Sequence, residues 1–321
     1  MVDSRISPTV SVVIVNWNSK DDLRDCLASL EHQTEQGFET IVVDNGSSDG
    51  SIEMLRTDFP SVVVVEAREN LGFAEACNRG IAQATGEWVA TLNNDAIASP
   101  SWIADLRSAV RAAGSDLGMV QSRILFKQTP SKTNSTGVLI GHGGWFIDRA
   151  YNHDVNPSET SDEVFCVSAG AALYRRKMLD DIRLASGFFD RTFFMYYEDV
   201  DLGWRGRLAG WSAIYQPGAT VHHAYNASSG RRGKFFVRSQ CAKNRVRTVL
   251  KNGSRAYIAT SLFRMFVELV WCVTKEGMRA LTGYRTAIRD GLSQRRAVDT
   301  VVRCDRRALE KRWIRIGASE G

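Results

Sequence analysis

The stretch TVSVVIVNWNSKDDLRDCLASL, residues 9–30, joins an apolar run to a segment with helical periodicity. Residues 9–17 are mostly β-branched and apolar almost without interruption, which is typical of a strand buried on both faces of a parallel sheet. In residues 20–33 the apolar side chains recur on one helical face, and acidic residues occupy the first turn, where the helix dipole favours negative charge. The stretch therefore predicts a strand followed by an amphipathic helix.

The same alternation continues along the chain. Apolar runs at 39–45, 61–67 and 87–95 are separated by helical patterns that begin near Ser51, cover residues 73–85, and start again with Ser99 as N-cap and Pro100 as first helical residue. This order predicts an α/β protein with a mostly parallel central sheet, right-handed crossovers and flanking helices. Residues 117–228 mix short strands with Gly-rich turns, and from about 231 the pattern becomes helical.

Composition sets limits on the class of protein. The chain has 321 residues, of which 44% are hydrophobic and 24% charged, as expected for a globular protein with one large core or one core and an appendage. The six cysteines include no C-x-x-C pair, and the N-terminus lacks the features of a signal peptide. These observations predict reduced thiols and a cytoplasmic location.

Charge is unevenly distributed between the two ends of the chain. Residues 231–321 contain 22 Lys and Arg against 7 Asp and Glu, a balance of +15, although the whole chain carries only +5. A segment of this kind can bind nucleic acid or an anionic membrane surface, or can simply be a solvated helical face. Its aromatic residues are grouped in apolar runs and not spaced for base stacking, so we expect no nucleic-acid partner.

One apolar stretch approaches membrane-spanning length. Residues 256–275 are interrupted by Arg264 and Glu268, each of which is costly in hydrocarbon. We therefore expect an amphipathic helix that is buried or lies at an interface.

Polar clusters follow three of the predicted strands. Asn16, Asp44 with Asn45, and the sequence Asn93-Asn94-Asp95 stand where those strands end. In a parallel sheet these ends lie along one edge, which is where ligands bind. Taken alone, LNNDAIASPSW, residues 92–102, fits either an ordinary turn or a metal site with a single carboxylate.

The absence of two phosphate-binding motifs narrows the range of possible ligands and enzyme classes. The sequence contains neither G-x-G-x-x-G after the first strand nor a P-loop, which disfavours a dinucleotide-dependent dehydrogenase and a P-loop enzyme. A diphosphate bound without a glycine-rich cradle needs another source of positive charge, such as Mg²⁺ or Mn²⁺ held by carboxylates. Asp95 is the best-placed candidate ligand, and Asn93 offers an amide oxygen.

Two further segments carry ionisable groups. FFMYYEDVDLGWR, residues 193–205, places three acids after an aromatic cluster, which fits either a solvated helix N-terminus or a general base beside an apolar cleft. In HH, residues 222–223, a strand would direct the two imidazoles to opposite faces, so that only one could reach a metal.

Together these pieces resemble glycosyltransferase family 2, whose members have the GT-A fold. The resemblance rests on VSVVIVNWNS (10–19), VVDNGSSDGS (42–51), NLGFAEACNRGI (70–81), GEWVATLNNDA (86–96), GFFDRTFFMYYEDVDLGWR (187–205) and ATVHH (219–223). It covers about residues 8–230 and is strongest toward rhamnosyltransferase-like enzymes. It implies a nucleotide-sugar transferase domain over 1–230 and a basic amphipathic helical extension over 231–321.

The resemblance also implies roles for individual residues. Asp199 would be the catalytic base, and Asp95 the main acid of the family's D-x-D element, with Asn93 in place of the first acid and His223 as a further ligand of the divalent cation. The remaining assignments are to the nucleotide, for Asn16, Asp44, Asn45, Asn70 and Asn94, and to the donor or acceptor sugar, for Gly170, Glu198 and Asp201.

The resemblance implies inverting transfer of a sugar, best assigned as L-rhamnose from dTDP-rhamnose, to a lipid-linked or polysaccharide acceptor. UDP-galactofuranose, UDP-hexose or GDP-mannose are alternative donors, and a catalytically silent nucleotide-sugar-binding protein is an alternative of another class. Acceptors linked to a polyprenyl diphosphate would lie at the cytoplasmic membrane face, where the basic segment would hold a peripheral enzyme.

Overall fold

The computed structural model describes residues 10–224 and 233–314. Its strands are β1 Val10–Asn16, β2 Glu39–Asp44, β3 Val63–Glu66, β4 Trp88–Asn93, β5 Ala96–Ala98, β6 Leu117–Phe126, β7 Thr133–Ser135, β8 Val138–Ile140, β9 Phe146–Asp148, β10 Asp162–Glu163, β11 Ala171–Arg175 and β12 Ser212–His223. Its α-helices are α1 Lys20–Glu31, α2 Ser51–Asp58, α3 Phe73–Gln83, α4 Trp102–Arg111, α5 Arg176–Asp181, α6 Glu198–Leu208, α7 Lys234–Asn252, α8 Arg255–Glu276, α9 Met278–Asp299 and α10 Arg306–Trp313. Short 3₁₀ turns lie at His142–Gly144 and Arg191–Phe193.

The central sheet has the strand order β10-β12-β6-β11-β4-β1-β2-β3, with β5 added to β12 and β7 to β6. Its β4-β1-β2-β3 part is parallel throughout, while β11 runs antiparallel between β4 and β6. The register pairs Asn16 with Asp44 and Val15 with Asn93. The polar ends of three strands are therefore level at one edge, as the sequence predicts.

Two sequence expectations need correction. Strand β3 is not buried on both faces, because it is the edge of the sheet and Val63 is 42% exposed. Helix α4 begins at Trp102 with Ser101 as N-cap, not at Pro100 with Ser99 as N-cap. The reason is that the backbone N–H of Ser99 still bonds to the carbonyl of Thr220 beside the sheet, and the chain must turn before it can enter the helix.

The sheet has a hydrophobic core on each side. One core packs α1, α2 and α4 against it, and the other packs α3, α5 and α6. This is the layered arrangement that burying both faces of a parallel sheet requires. The buried faces of these helices leave the polar strand ends uncovered at the edge.

Helices α7 to α10 pack onto the α/β part. Their apolar side chains form a third cluster with Phe146 of β9 and with Phe165 and Trp204, so helical and α/β segments share one core. Two strands and the turn between them, residues 138–148, lie within this contact and are called the pocket hairpin below. Its turn rests on α8, where the Tyr257 hydroxyl donates to the Gly141 carbonyl at 2.8 Å.

A buried ion cluster fastens α7 to the rest of the fold. The Lys251 ammonium lies 2.7 Å from Asp190 and 2.9 Å from Asp201, and all three side chains are almost inaccessible. Asp201 also accepts from Arg205 at 2.9 Å and from Asn252 at 2.8 Å. Burial alone raises the pKa of Asp190, but the neighbouring ammonium outweighs it and holds that pKa well below its usual range. The two cations balance the two carboxylates.

We predict that Lys251→Met lowers the free energy of unfolding by about 3–5 kcal/mol, because it leaves Asp190 buried without its cation. Urea denaturation at neutral pH measures the loss. As a control, Arg24→Ala removes ion pairs with Asp21 and Asp58 that are 42–95% exposed, and should cost less than about 1 kcal/mol. A Lys251→Met protein as stable as the control variant would contradict the structural role of the cluster.

Candidate active site

A cavity of about 460 Å³ opens at the polar edge of the sheet, a size suited to a small-molecule ligand. Its walls come from the strand ends, the pocket hairpin, the first turn of α6 and helix α7. The predicted site residues that line it are Asn45, Asn70, Asn93, Asn94, Asp95, Gly170, Glu198, Asp199 and His223. Residues far apart in sequence are thus gathered around one space.

Asn16 and Asp44 do not line this cavity. Both are fully buried behind its wall, where the Asn16 amide donates to Asp44 at 3.3 Å and accepts from Asn94 at 2.8 Å. Asp44 also accepts from the backbone N–H of Ser47 at 2.8 Å. Of Asn16, Asp44 and Asn94, only Asn94 lines the cavity and can meet a ligand there directly. The packing of the strand ends, which the sequence does not specify, accounts for this difference.

Asn45 and Asn70 form a corner of the cavity in which their side-chain amides are hydrogen-bonded to each other. The Asn45 side chain donates to Asn70 at 3.3 Å and to the Gly72 carbonyl at 3.2 Å, and accepts from the backbone of Leu71 at 2.9 Å. These bonds fix the loop that precedes α3. A planar polar ligand entering this corner meets an ordered set of donors and acceptors.

Asp95 and His223 meet at the opposite wall. The Nε2 atom of His223 lies 3.0 Å from Asp95 Oδ1 and 3.0 Å from the Asn93 side-chain nitrogen. Strand β12 brings His223 there, while His222 faces away from the cavity, as the alternation of side chains along a strand predicts. The other ring nitrogen, Nδ1, lies 3.1 Å from the amide oxygen of Asn134. Because the Asn134 oxygen can only accept, Nδ1 is the donor to it, and Nε2 is the nitrogen that faces Asp95 and the Asn93 amide.

The donor set fits a divalent cation. A carboxylate and an imidazole nitrogen 3.0 Å apart, with an amide beside them, are ligand types that Mn²⁺ and Mg²⁺ accept. Residues 10–224 and 233–314 contain no group of three or more His, Cys, Asp or Glu arranged for a metal. Only two strong protein ligands are therefore available, and a bound cation would need further ligands from a substrate.

Glu198 and Asp199 present two adjacent carboxyl groups in the first turn of α6. Asp199 accepts from the backbone N–H of Ala169 at 3.0 Å and of Val200 at 2.8 Å, whereas the Oε2 atom of Glu198 is buried without a hydrogen-bond partner among the described residues. Burial, and next the charge of Asp199, raise the pKa of Glu198 well above its usual range. Burial also raises the pKa of Asp199, against the effect of its two N–H donors. Asp199 is therefore the easier of the two carboxyl groups to ionise.

The loop before these acids, residues 193–197, holds a strained backbone and is called the aromatic loop below. Phe194, Tyr196 and Tyr197 have φ angles of 62°, 68° and 70°, which non-glycine residues adopt only at a cost. The Asn244 amide of α7 donates to the carbonyls of Phe193, Met195 and Tyr196 at 2.7–2.9 Å. One side chain from the C-terminal part of the chain thus holds the loop that positions Asp199.

Asp201 is not available to a sugar, contrary to the sequence expectation. It has no exposed surface and lies outside the cavity, where its two oxygens are occupied by Arg205, Lys251 and Asn252. The helical turn explains this outcome, since residues 199 and 201 point about 200° apart around a helix and only one of them can face the cavity. Asp201 is a structural residue.

Asp148 and Asn134 line the cavity although no sequence motif pointed to them. Asp148, at the end of β9, lines the cavity, and burial raises its pKa to about 6, with the charge of Asp199 adding to the effect. Asn134 lines the same cavity beside His223. Both lie in three-residue strands, β7 and β9, without a recognisable motif, and only the fold of residues 126–148 brings them to the site.

Comparison with known proteins places this site in a family. The family model described as Glycosyl transferase family 2 matches residues 11–183. An N-acetylglucosaminyl-diphospho-decaprenol L-rhamnosyltransferase of Mycobacterium tuberculosis is 32% identical over 250 residues, which cover 70% of this chain and 79% of the relative. A putative glycosyltransferase of Bacillus subtilis, EpsH, is 26% identical over 232 residues, or 70% of this chain and 62% of the relative.

Solved structures agree on the fold. A mannosyltransferase of Pyrobaculum calidifontis, in complex with GDP-Man and Mn²⁺, aligns with a TM-score of 0.54 at 17% identity and covers 96% of this chain and 88% of that one. GalNAc-T7 with UDP, GalNAc and Mn²⁺ aligns with a TM-score of 0.62 at 15% identity, covering 91% and 55%. The predicted GT-A fold is confirmed: a sheet that is parallel in its core, flanked by helices, with a C-terminal helical region.

This chain belongs to glycosyltransferase family 2 and is a glycosyltransferase that resembles the rhamnosyltransferases of the family. The family predicted from its sequence motifs is thereby confirmed.

We predict that Asn244→Ala lowers the free energy of unfolding by about 1–3 kcal/mol and reduces transferase activity at least tenfold, because three carbonyls of the aromatic loop lose their donor and Asp199 loses its fixed position. Thermal denaturation and initial rates measure the two effects. Gln240→Ala is the graded control, since Gln240 donates only to Phe193, which Asn244 also holds, and it should cost less in both assays. Equal losses in the two variants would argue against a specific role for Asn244.

Proposed function

We propose that this enzyme is an inverting glycosyltransferase that moves a sugar from a nucleotide diphosphate to an acceptor hydroxyl, with L-rhamnose from dTDP-rhamnose as the preferred donor. One observation carries the proposal: a single cavity is lined both by Asp95 with His223 and by Asp199. Asp95 and His223 would lie at the diphosphate of the donor, and Asp199 would lie at the acceptor hydroxyl.

The proposed reaction is a single displacement in which Asp199 is the base and the acceptor hydroxyl is the nucleophile. Asp199 accepts the proton of the acceptor hydroxyl as its oxygen forms a bond to the anomeric carbon. The bond between that carbon and the phosphate oxygen breaks, and its electron pair leaves on the nucleoside diphosphate. A single displacement inverts the anomeric configuration. Glu198, whose pKa is raised well above its usual range by burial and by the charge of Asp199, is the less readily ionised of the two and so the less available as a base.

Asp95 and His223, with Asn93 beside them, would hold a divalent cation, Mg²⁺ or Mn²⁺. When bound, the cation neutralises negative charge on the departing diphosphate. The Mn²⁺ present with two relatives of the same fold supports this assignment. Asn134 would orient the His223 ring by accepting from its other nitrogen.

The nucleotide is assigned to the corner formed by Asn45, Asn70 and Asn94, with Asn16 and Asp44 supporting the wall behind it. The sugar is assigned to the space near Gly170 and Glu198. The similarity to a rhamnosyltransferase supports L-rhamnose as the transferred sugar. UDP-galactofuranose, UDP-hexose and GDP-mannose are the alternative donors, and hydrolysis assays with a panel of nucleotide sugars distinguish them.

The acceptor is assigned as a glycan carried on a polyprenyl diphosphate. The named activity of the M. tuberculosis relative, which acts on a decaprenol-linked sugar, supports this class. Such an acceptor would place the enzyme at the cytoplasmic face of the membrane as a peripheral protein in cell-surface glycan synthesis. The +15 charge balance of residues 231–321 is consistent with an anionic lipid surface.

We predict that Asp199→Asn lowers turnover by about 10²–10⁴ while donor binding survives, because the amide cannot accept the proton but fills the same space. Turnover and calorimetric donor binding measure the two effects. In the unaltered enzyme kcat/KM should fall as the pH drops through the pKa of Asp199, which burial places above the usual value of about 3.9.

Asp180→Asn, the same chemical change at an exposed position of α5, is the control and should leave both properties unchanged. An Asp199→Asn variant with full turnover would reject Asp199 as the base. Unaltered protein that binds donors but has no turnover with any of them would support the silent binding protein instead.

We predict that Mn²⁺ binds weakly to the free enzyme and more tightly with nucleoside diphosphate present, because the part of the chain that the structure describes supplies only two strong ligands. Asn93→Asp should tighten metal binding about tenfold by adding a carboxylate. His223→Ala should weaken it, and His222→Ala is the matched control from the other face of the same strand. Titration calorimetry gives the affinities. Tight Mn²⁺ binding to the free protein, or equal effects of the two histidine substitutions, would contradict this ligand set.

A further inference from the structure

Helix α8 presents an apolar face to the outside of the molecule. Among its large hydrophobic side chains, Leu262 is 55% exposed, Phe263 79% and Phe266 63%, and the nearby Val267 and Val270 are about half exposed. Isolated exposed apolar residues are ordinary on protein surfaces, but five within three turns on one side of a helix form a patch of the kind that marks an interaction site.

The two charges within the helix lie on its other side. The Arg264 guanidinium stacks on the Trp145 ring at 3.2 Å from the centroid and lies 3.4 Å from Glu268. Glu268 also pairs with Arg245 of α7. The charges that interrupt the apolar stretch in the sequence are therefore paired against the protein. The outward face carries no charge between Arg255 and Lys275.

Helix α8 is, by its length and composition, the one described helix able to cross a membrane, but its packing opposes that arrangement. Tyr257, Ser261, Met265 and Cys272 are buried against the pocket hairpin and the neighbouring helices. Spanning would strip these contacts and place Arg264 and Glu268 in hydrocarbon. The helix suits the surface of one leaflet, with its apolar side down.

Charge around the patch identifies the partner as anionic. Arg255 and Lys275 stand exposed at the two ends of the helix, and Arg279 follows beside Met278, which is 73% exposed. Residues 231–321 as a whole carry a balance of +15. A second copy of this chain docking face to face would bring two such segments together, whereas anionic headgroups compensate them.

We propose that the outward face of α8, extended by Met278, docks on an anionic lipid bilayer and lies in the headgroup region of one leaflet. Phe263 and Phe266 are its apolar anchors. Binding would thus combine apolar contact by a defined surface with the general attraction between the basic segment and anionic lipid.

The pocket hairpin connects this surface to the active site. Trp145, at the end of its turn, is 46% exposed and packs on Arg264 of α8. The next three residues, Phe146, Ile147 and Asp148, line the cavity. Docking would hold this wall of the cavity beside the headgroups, where a lipid-linked acceptor presents its sugar. That last step rests on the proposed function, but the docking surface itself does not.

Flotation of the full chain with vesicles of phosphatidylcholine, with and without 30% phosphatidylglycerol, tests the proposal. We expect binding only to the anionic vesicles, reduced but not abolished by high salt, because screening weakens charge attraction and not apolar contact. The double variant Phe263→Ser/Phe266→Ser should bind at least tenfold less. Val63→Ser, which changes an exposed apolar residue on the edge strand β3, is the control and should bind as the unaltered protein does.

Equal vesicle binding by the double variant and the unaltered protein, with both equally folded by circular dichroism, would overturn the proposal. So would self-association in analytical ultracentrifugation that the double variant abolishes, if neither protein binds vesicles. Turnover with a water-soluble acceptor is measured in parallel and should be unchanged in the double variant. Vesicle binding without turnover in any protein would reject the proposed function and leave the docking surface intact.

Discussion

The position of one buried ammonium group connects the two parts of this enzyme. Lys251 lies between Asp190, which begins the turn before the aromatic loop, and Asp201, which lies in helix α6 close to Glu198 and Asp199. A buried carboxylate without a cation is strongly destabilising, so Asp190 cannot be accommodated unless α7 is in place, whereas Asp201 also has Arg205 of its own helix. The α/β part supplies both acids and one cation, and the C-terminal part supplies the second cation. The active-site geometry therefore depends on a helix that lies outside the region matched by the family model.

The backbone of the aromatic loop explains why such a tight connection is useful. Three non-glycine residues with positive φ cost about 1–3 kcal/mol each, and persist only where the surroundings fix them. Asn244 fixes the loop through three carbonyls, and the ion cluster fixes the helices on either side of it. The strained loop leads directly into α6 and so places Asp199, in the first turn of that helix, at the cavity. The position of this carboxylate is thus set by long-range contacts.

The C-terminal helices also relate the site to the outside of the molecule. The inner side of α8 holds the pocket hairpin through Tyr257 and through Arg264 on Trp145, while its outer side is apolar. Basic composition alone leaves open whether this segment is a solvated face or a membrane contact. Arg264 points inward to Trp145 and Glu268 points inward to Arg245, so the outer face is left uncharged. This direction favours a membrane contact over a solvated face.

The sequence by itself determined the parallel strands, the edge at which their polar ends meet, and the family. Strand burial and helix periodicity are local patterns that can be read from residue types. Once neighbouring strands are parallel, the polar residues that follow them lie together at one edge of the sheet. The sequence also indicated that only one of two adjacent histidines faces the site. Tertiary structure alone decided that Asp201 is structural, that Asp44 lies behind the wall, and that Asp148 and Asn134 belong to the cavity. These outcomes depend on side chains that meet across 28 to 51 residues of chain, or on how short strands fold against the sheet, and no local pattern of residue types records such contacts.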